Sequence, residues 1–244
     1  MQAIAIQEPA TVATGCEAVD RLLEGGFPTG LVTEICGVAG SGKTQLCLQL
    51  LLRAQLPRES GGLEASSCYM YSDGLSPLKR LDQLASASAQ PVSLDHIFLE
   101  AATDAPQLLH ALKTRLPPLL DQRNVRLVVI DAITAVFRGV SVESASEAGD
   151  RTRVMFEMVN CMRILAARFN VAFVVVNQMT ANMKVDDRDA AVPALGLAWS
   201  SCVNQRFQIA KTRHANVRSL KVLFSPYLAH DMLATFEITP EKLL

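Results

Sequence analysis

Gly37-Val38-Ala39-Gly40-Ser41-Gly42-Lys43-Thr44 fits the pattern G-x-x-x-x-G-K-[ST]. The apolar run Leu31-Val32-Thr33-Glu34-Ile35-Cys36 precedes it and the helix-like Gln45–Gln55 follows, so strand, loop and helix come in the order this pattern needs. Glycines let successive backbone N–H groups converge on an anion, and the helix that starts there adds its positive end. Lys43 can reach the β- and γ-phosphates of a nucleotide, and Thr44 can ligate Mg²⁺. A chance glycine turn would not carry these flanks. The sequence thus predicts a nucleoside triphosphate site, with ATP and Mg²⁺ as ligands, built from Gly37, Val38, Ala39, Gly40, Ser41, Gly42, Lys43 and Thr44.

Around this loop the chain has room for one large α/β domain. It has 244 residues, 50% of them hydrophobic and 19% charged, which suits a globular protein with a full core. No apolar run approaches a membrane span and no basic-then-apolar leader opens the sequence, so no membrane partner is expected. The six cysteines, Cys16, Cys36, Cys47, Cys68, Cys161 and Cys202, show no metal-type spacing. Several fall in expected core elements, which points to a reducing compartment and away from zinc. A formal net charge of −1 says nothing of nucleic acid by itself.

Residues 1–13 read as an arm and 14–244 as the domain. Thr14–Leu23 reads as a helix with Thr14 as N-cap and Glu17 completing a capping box. Strands and helices then alternate: Cys68–Ser72 before helix Ser76–Ala87, His96–Ala101 before a helix from Asp104, Arg126–Ile130 before helix Thr152–Phe169, then Val171–Val176. Asp104 and Gln107 form a second capping box, with Pro106 tolerated in the first turn. Met155, Met158, Val159, Met162, Leu165, Ala166 and Phe169 keep helical spacing and read as a core stripe. The continuous apolar runs Leu127–Ile130 and Ala172–Val176 suit parallel strands buried on both faces. Val203–Lys211, Ser219–Phe224 and Leu233–Ile238 follow without intervening helices, which predicts an antiparallel edge.

Hydrolysis needs more than a phosphate loop. An acid at the end of a buried strand can hold Mg²⁺, and Asp131 stands directly after Arg126–Ile130. An attacking water needs a base. Strand Cys68–Ser72 is expected beside the loop strand, and its tip carries Asp73, although Asp73-Gly74 also reads as a plain turn. Asn177-Gln178 ends another long apolar strand, where an amide could touch the γ-phosphate or simply end the strand.

In this order, Gly37–Thr44, Asp73, Asp131, Asn177-Gln178 and the late strands with Ser225-Pro226 resemble the RecA-like recombinase ATPases over nearly the whole chain. Gln55–Arg58, Gly61–Glu64, Lys79–Leu81, Leu195–Trp199, Cys202–Asn204 and Phe224–Leu228 resemble the eukaryotic recombinase paralogues within that family. The resemblance implies an α/β, RecA-like P-loop ATPase core: a mostly parallel twisted sheet with helices on both faces and an antiparallel edge after residue 200. It implies a DNA-dependent ATPase subunit in homologous-recombination repair of double-strand breaks. Such a subunit would join a related paralogue as a heterodimer, support a recombinase filament and act in the nucleus, also the cytoplasm, on single-stranded or branched DNA. By the same resemblance, Lys43, Asp73 and Gln178 are catalytic, Arg80 stacks on adenine, Thr44 and Asp131 hold the metal, and loops Arg138–Asp150 and Met179–Pro193 meet DNA.

Three departures temper the match. Asp73 stands where most members have glutamate, shifting its oxygens by about 1.5 Å. Phe224 replaces an aspartate that reaches a neighbour's nucleotide. No helical domain and no Phe-x-x-Ala segment precedes the core in this sequence, so pairing with a different subunit is expected rather than self-filamentation. The alternative is a non-catalytic scaffold in which ATP acts as interface glue. Arg206, Lys211, Arg213, Arg218 and Lys221 lie in an acid-free stretch that reads either as a basic patch for DNA or as protected edge strands. Arg138, Arg151, Lys184 and Arg188 are the candidate DNA contacts of the two loops, and Trp199 is read as core.

Overall fold

The computed structural model describes residues 10–72, 76–138, 145–181, 191–193, 195, 199, 201–240, 242 and 243. In chain order the strands are β1 Thr11–Val12, β2 Phe27–Pro28, β3 Val32–Gly37, β4 Ser66–Tyr71, β5 Ile97–Ala101, β6 Val125–Asp131, β7 Ala172–Ala181, β8 Ala191–Pro193, β9 Gln205–Lys211, β10 Val217–Phe224 and β11 Leu233–Glu237. The helices are α1 Glu17–Leu22, α2 Lys43–Arg53, α3 Leu78–Ser86, α4 Ala105–His110, α5 Leu116–Gln122 and α6 Ala145–Phe169. The main sheet runs β11-β10-β9-β3-β7-β6-β4-β5, with β8 paired to β7. It is parallel from β9 through β5 and antiparallel where β10 meets β9 and β11, the arrangement the resemblance implies.

Side chains alternate across the central strands, so each apolar run feeds two cores. On one face Leu127, Val129, Val174, Val176 and Ile35 pack under α2, whose Leu46, Leu50 and Leu51 are fully buried. On the other, Val128, Ile130, Phe173 and Val175 pack against α4 to α6. Met155, Met158, Val159, Met162, Leu165 and Ala166 are all buried there, so the methionine stripe is core. Helices α4 and α5 are joined through a π-helical turn, Ala111–Arg115. Pro117 and Pro118, which have no N–H to donate, sit in the first turn of α5, where a helix tolerates the loss. Among the described residues, no helix is long and apolar enough to cross a membrane.

Several expectations need correction. Strand β4 does not lie beside β3; β7 and β6 separate them. Those two strands carry the most continuous apolar runs and take the doubly covered centre, whereas β4 opens on Ser66-Ser67. The first helix starts at Glu17, without a side-chain cap from Thr14. Gly15 at φ 84° breaks the chain there, and Asp20 accepts from the N–H groups of Thr14 (2.6 Å) and Gly15 (2.9 Å) instead. The arm does not extend to residue 13, since β1 pairs with β2 and Val12 is fully buried. Helix α6 begins at Ala145, well inside the first expected loop. The ends of the second are strand, with Met179 opposite Pro193 and Ala181 opposite Ala191.

One buried ionic cluster fastens the strands that carry the site. Glu34 in β3 is fully buried, and its carboxylate accepts from Asn177 Nδ2 (2.7 Å), Trp199 Nε1 (2.9 Å) and Arg206 Nε (2.8 Å). Arg206 Nη2 also reaches it at 2.7 Å. Burial pushes the Glu34 pKa upward, while Arg206, Asn177 and Trp199 favour the carboxylate. Arg206 is therefore a core cation and not part of a basic surface. Removing one member of such a pair strands a buried charge. Glu34→Ala should cost about 3–5 kcal/mol of unfolding free energy in urea, whereas Glu34→Met with Arg206→Leu should cost far less than the single change.

Candidate functional site

The loop between β3 and α2 is held open by its neighbours. Gly40 (φ 69°) and Gly42 (φ 105°) adopt left-handed backbone that side chains disfavour. A Cβ on Gly37 would meet the Ile209 carbonyl at 2.4 Å and Ser41 Oγ at 2.7 Å, and one on Gly42 would meet Ile238 Cδ1 at 2.4 Å. Glycine is thus demanded by close packing as well as by conformation. Lys43, only 7% exposed, donates to the carbonyls of Gly37 and Val38, each at 2.8 Å. Burial lowers its pKa and Asp131 works against that shift. Its ammonium is already folded over the concavity in which phosphates would lie.

Thr44 Oγ1 donates to Asp131 Oδ2 at 2.7 Å, joining the first turn of α2 to the end of β6. Tyr69 Oη donates to the same oxygen at 3.0 Å. Burial, with Asp131 beside it, raises the Tyr69 pKa far above the ordinary phenol range, so Tyr69 is a neutral donor. A hydroxyl and a carboxylate side by side at the foot of a glycine loop are oxygen donors suited to Mg²⁺, which keeps most of its waters and takes one or two protein oxygens. The loop, Lys43 and this pair fit ATP with Mg²⁺. No cluster of three or more His, Cys, Asp or Glu side chains that could hold a metal by themselves occurs among the described residues.

Gln178 and Arg80 stand beside this centre, and the other expected residues lie elsewhere or outside the described residues. Gln178 is in register with Gly37 across β7 and β3, which puts it beside the loop, and its Oε1 accepts from Arg138 Nη2 at 2.6 Å. Asn177 faces inward to Glu34 and is fully buried, so the amide pair divides into one core residue and one beside the loop. Arg80 Nε donates to Gln45 Oε1 (3.0 Å) and Nη1 to Gln83 Oε1 (3.1 Å), which holds the guanidinium next to the start of α2. Arg151 stands over the Phe137 ring at 5.4 Å. Asp73, Lys184 and Arg188 lie outside the described residues. Ser72, just before Asp73, exchanges hydrogen bonds with Ala132, donating at 2.8 Å and accepting at 3.0 Å, so the tip of β4 adjoins Asp131 even though β4 and β3 are apart.

Three features escaped the reading of the sequence. Tyr69 shares the α2 side of the sheet with Val129, and the parity of β4 and β6 could have shown it. Arg206 is sequestered, Lys221 pairs with Asp231 at 2.7 Å, and only part of the basic stretch reaches the loop. Phe224 packs beneath Arg206, ring centroid to guanidinium 5.3 Å. Trp199, by contrast, is fully buried, core as its sequence context indicates.

Comparison with known proteins agrees with this geometry. The Rad51 family model matches residues 6–243. The chain is 31% identical to the DNA repair protein XRCC3 homolog of Arabidopsis thaliana, covering 89% of this chain and 87% of that protein. It is 33% identical to DNA repair protein XRCC3 of Mus musculus (89% and 70%). It is 30% identical to the DNA repair and recombination protein RadA of Aeropyrum pernix (89% and 68%). With a glycine loop, a strand-end acid and a parallel sheet closed by an antiparallel edge, and a match running nearly end to end, the chain belongs to the Rad51 family.

Proposed function

We propose that this chain is an ATP-binding subunit of a recombinase-paralogue complex in recombinational repair of DNA double-strand breaks, with slow, DNA-dependent ATP hydrolysis. The observation that carries this reading is the 2.7 Å bond from Thr44 to Asp131 at the foot of a glycine loop already spanned by Lys43. Relatives named for DNA repair and recombination support the biological setting. ATP with Mg²⁺ supplies the phosphoanhydride and a cation that withdraws charge from it. In this reading the loop N–H groups hold the phosphates and Lys43 turns from the carbonyls of Gly37 and Val38 to phosphate oxygens. Thr44 and Asp131 hold the cation. Arg80, steadied by Gln45 and Gln83, offers a flat cationic face to adenine. Asp73 takes the proton of the attacking water, and Gln178 links the loop to Arg138.

Arg138, Arg151, Lys184 and Arg188 are the proposed DNA contacts, and a related paralogue the proposed partner, in the nucleus and in part the cytoplasm. A second reading, a scaffold using ATP as interface glue, draws on Phe224. Where an acid would reach a neighbour's nucleotide, this chain has a ring committed to Arg206.

Lys43→Ala should weaken ATP binding at least roughly tenfold, because a charge-assisted contact worth ~1.5–3 kcal/mol is lost. Fluorescence titration checks it, and unchanged affinity would sink the site assignment. Asp73→Asn should lower kcat severalfold or more while leaving ATP affinity nearly intact, since the water contact matters chiefly in the transition state. Equal turnover by parent and variant favours the scaffold. Light scattering should find the isolated chain monomeric or weakly associating. Mixed with a related paralogue it should give a complex that ATP and Mg²⁺ stabilise, as linkage requires of an interfacial ligand. Long homofilaments on single-stranded DNA would contradict this.

A further inference from the structure

Two cations of the basic stretch stand against the glycine loop, and the reading above gives them no task. A Cβ built on Gly40 would lie 3.3 Å from Lys211 Nζ, which places that ammonium at the rim of the loop. The stem of Arg218 lies 4.0 Å from the Cβ position of Gly42. Lys211 ends β9, and Arg218 is its direct cross-strand partner in β10. Like charges directly opposite each other in an antiparallel pair are destabilising. Among the described residues neither forms a salt bridge, although Lys221 in the same strand as Arg218 does. Arg218 Nη1 is spent on the carbonyls of Ala215 (2.7 Å) and Val217 (3.0 Å), and its Nε is buried without a partner. Lys211 also acts on Lys43, adding to the depression of its pKa. Three cations thus crowd one loop, with Asp131 as the carboxylate among them.

We infer that Lys211 is a second phosphate ligand, contributed from within the same chain, and that Arg218 opposite it biases its ammonium away from β10 and toward the loop. The inference rests on the proposed nucleotide site and extends it. Its ligand is the phosphate chain of a nucleoside triphosphate, a polyanion whose charge relieves the repulsion among Lys43, Lys211 and Arg218. A DNA backbone is the less suitable anion. The two side chains stand against Gly40 and Gly42 of one loop, whereas tracking a strand needs cations spread along a surface, and Arg206 and Lys221 are engaged elsewhere.

The test is calorimetric titration of the full chain with ATP and with ADP in Mg²⁺ buffer, comparing the parent, Lys211→Met and Lys211→Arg. Thermal melts without nucleotide are run in parallel. Lys211→Met should weaken ATP binding roughly tenfold and ADP, with one charge fewer, by less. Its nucleotide-free melting temperature should be equal to or above the parent's, because a repulsion has gone. Lys211→Arg should restore most of the affinity. The inference is overturned if Lys211→Met binds ATP within twofold of the parent. A lower nucleotide-free melting temperature with parallel losses for ATP and ADP overturns it too, as the mark of a structural role. A parent chain that binds no ATP removes the nucleotide site and this inference together.

Discussion

A carboxylate sealed inside the sheet sets the terms for everything around it. Glu34 has no contact with water, and the free energy of burying its charge is recovered only if Arg206, Asn177 and Trp199 all arrive within hydrogen-bond reach. Those donors belong to β9, β7 and the stretch between β8 and β9. Satisfying Glu34 therefore fixes the neighbours of β3 on both sides. Three residues beyond Glu34 the glycine loop begins. One residue beyond Asn177 stands Gln178, and five beyond Arg206 stands Lys211. The site is assembled at the carboxyl ends of strands whose relative placement this buried cluster enforces.

That location follows a general property of open parallel sheets, which bind ligands in the crevice outside the carboxyl ends of their strands. Here the crevice has two walls. One is the Thr44–Asp131–Tyr69 group, which joins α2, β6 and β4 through a single carboxylate oxygen. The other is the antiparallel edge, where Ile209 and Ile238 press on Gly37 and Gly42. An edge that reads in the sequence as a mere closing of the sheet is therefore part of the loop's mould.

What could be read from the sequence was what is local. The octapeptide and its flanks specified β3, loop and α2, because a strand–loop–helix unit is decided within some twenty residues. The apolar runs of β6 and β7 and the methionine stripe of α6 were legible because their periodicity reports burial directly. The Asp104 half of the Asp104–Gln107 box formed as read, with Asp104 accepting from the Gln107 N–H at 2.8 Å, while the Gln107 side chain accepts from the Thr103 N–H at 3.2 Å rather than from that of Asp104. Strand order was not legible, since nothing in Ser66–Tyr71 says that β6 and β7, which come later in the chain, will insert between it and β3. The same limit hid the partner of Arg206. In an acid-free stretch it looked like surface charge, but its carboxylate lies 172 residues away. At Thr14 a valid capping pattern lost to Asp20, whose carboxylate satisfies two N–H groups at once, and to the left-handed turn at Gly15.

Gln49, midway along α2, makes two bonds that join distant parts of the chain. Its Nε2 donates to the Thr14 carbonyl at 2.6 Å, and its Oε1 accepts from the Leu243 N–H at 2.8 Å. Residues 14 and 243 therefore meet at one buried amide, on the helix whose first turn carries Lys43 and Thr44. The two stretches are tied not to each other but to the same side chain of α2, so loosening either one withdraws a partner from the amide that holds the other. The helix that carries Lys43 and Thr44 is thereby coupled to both flanks of the domain at a single point.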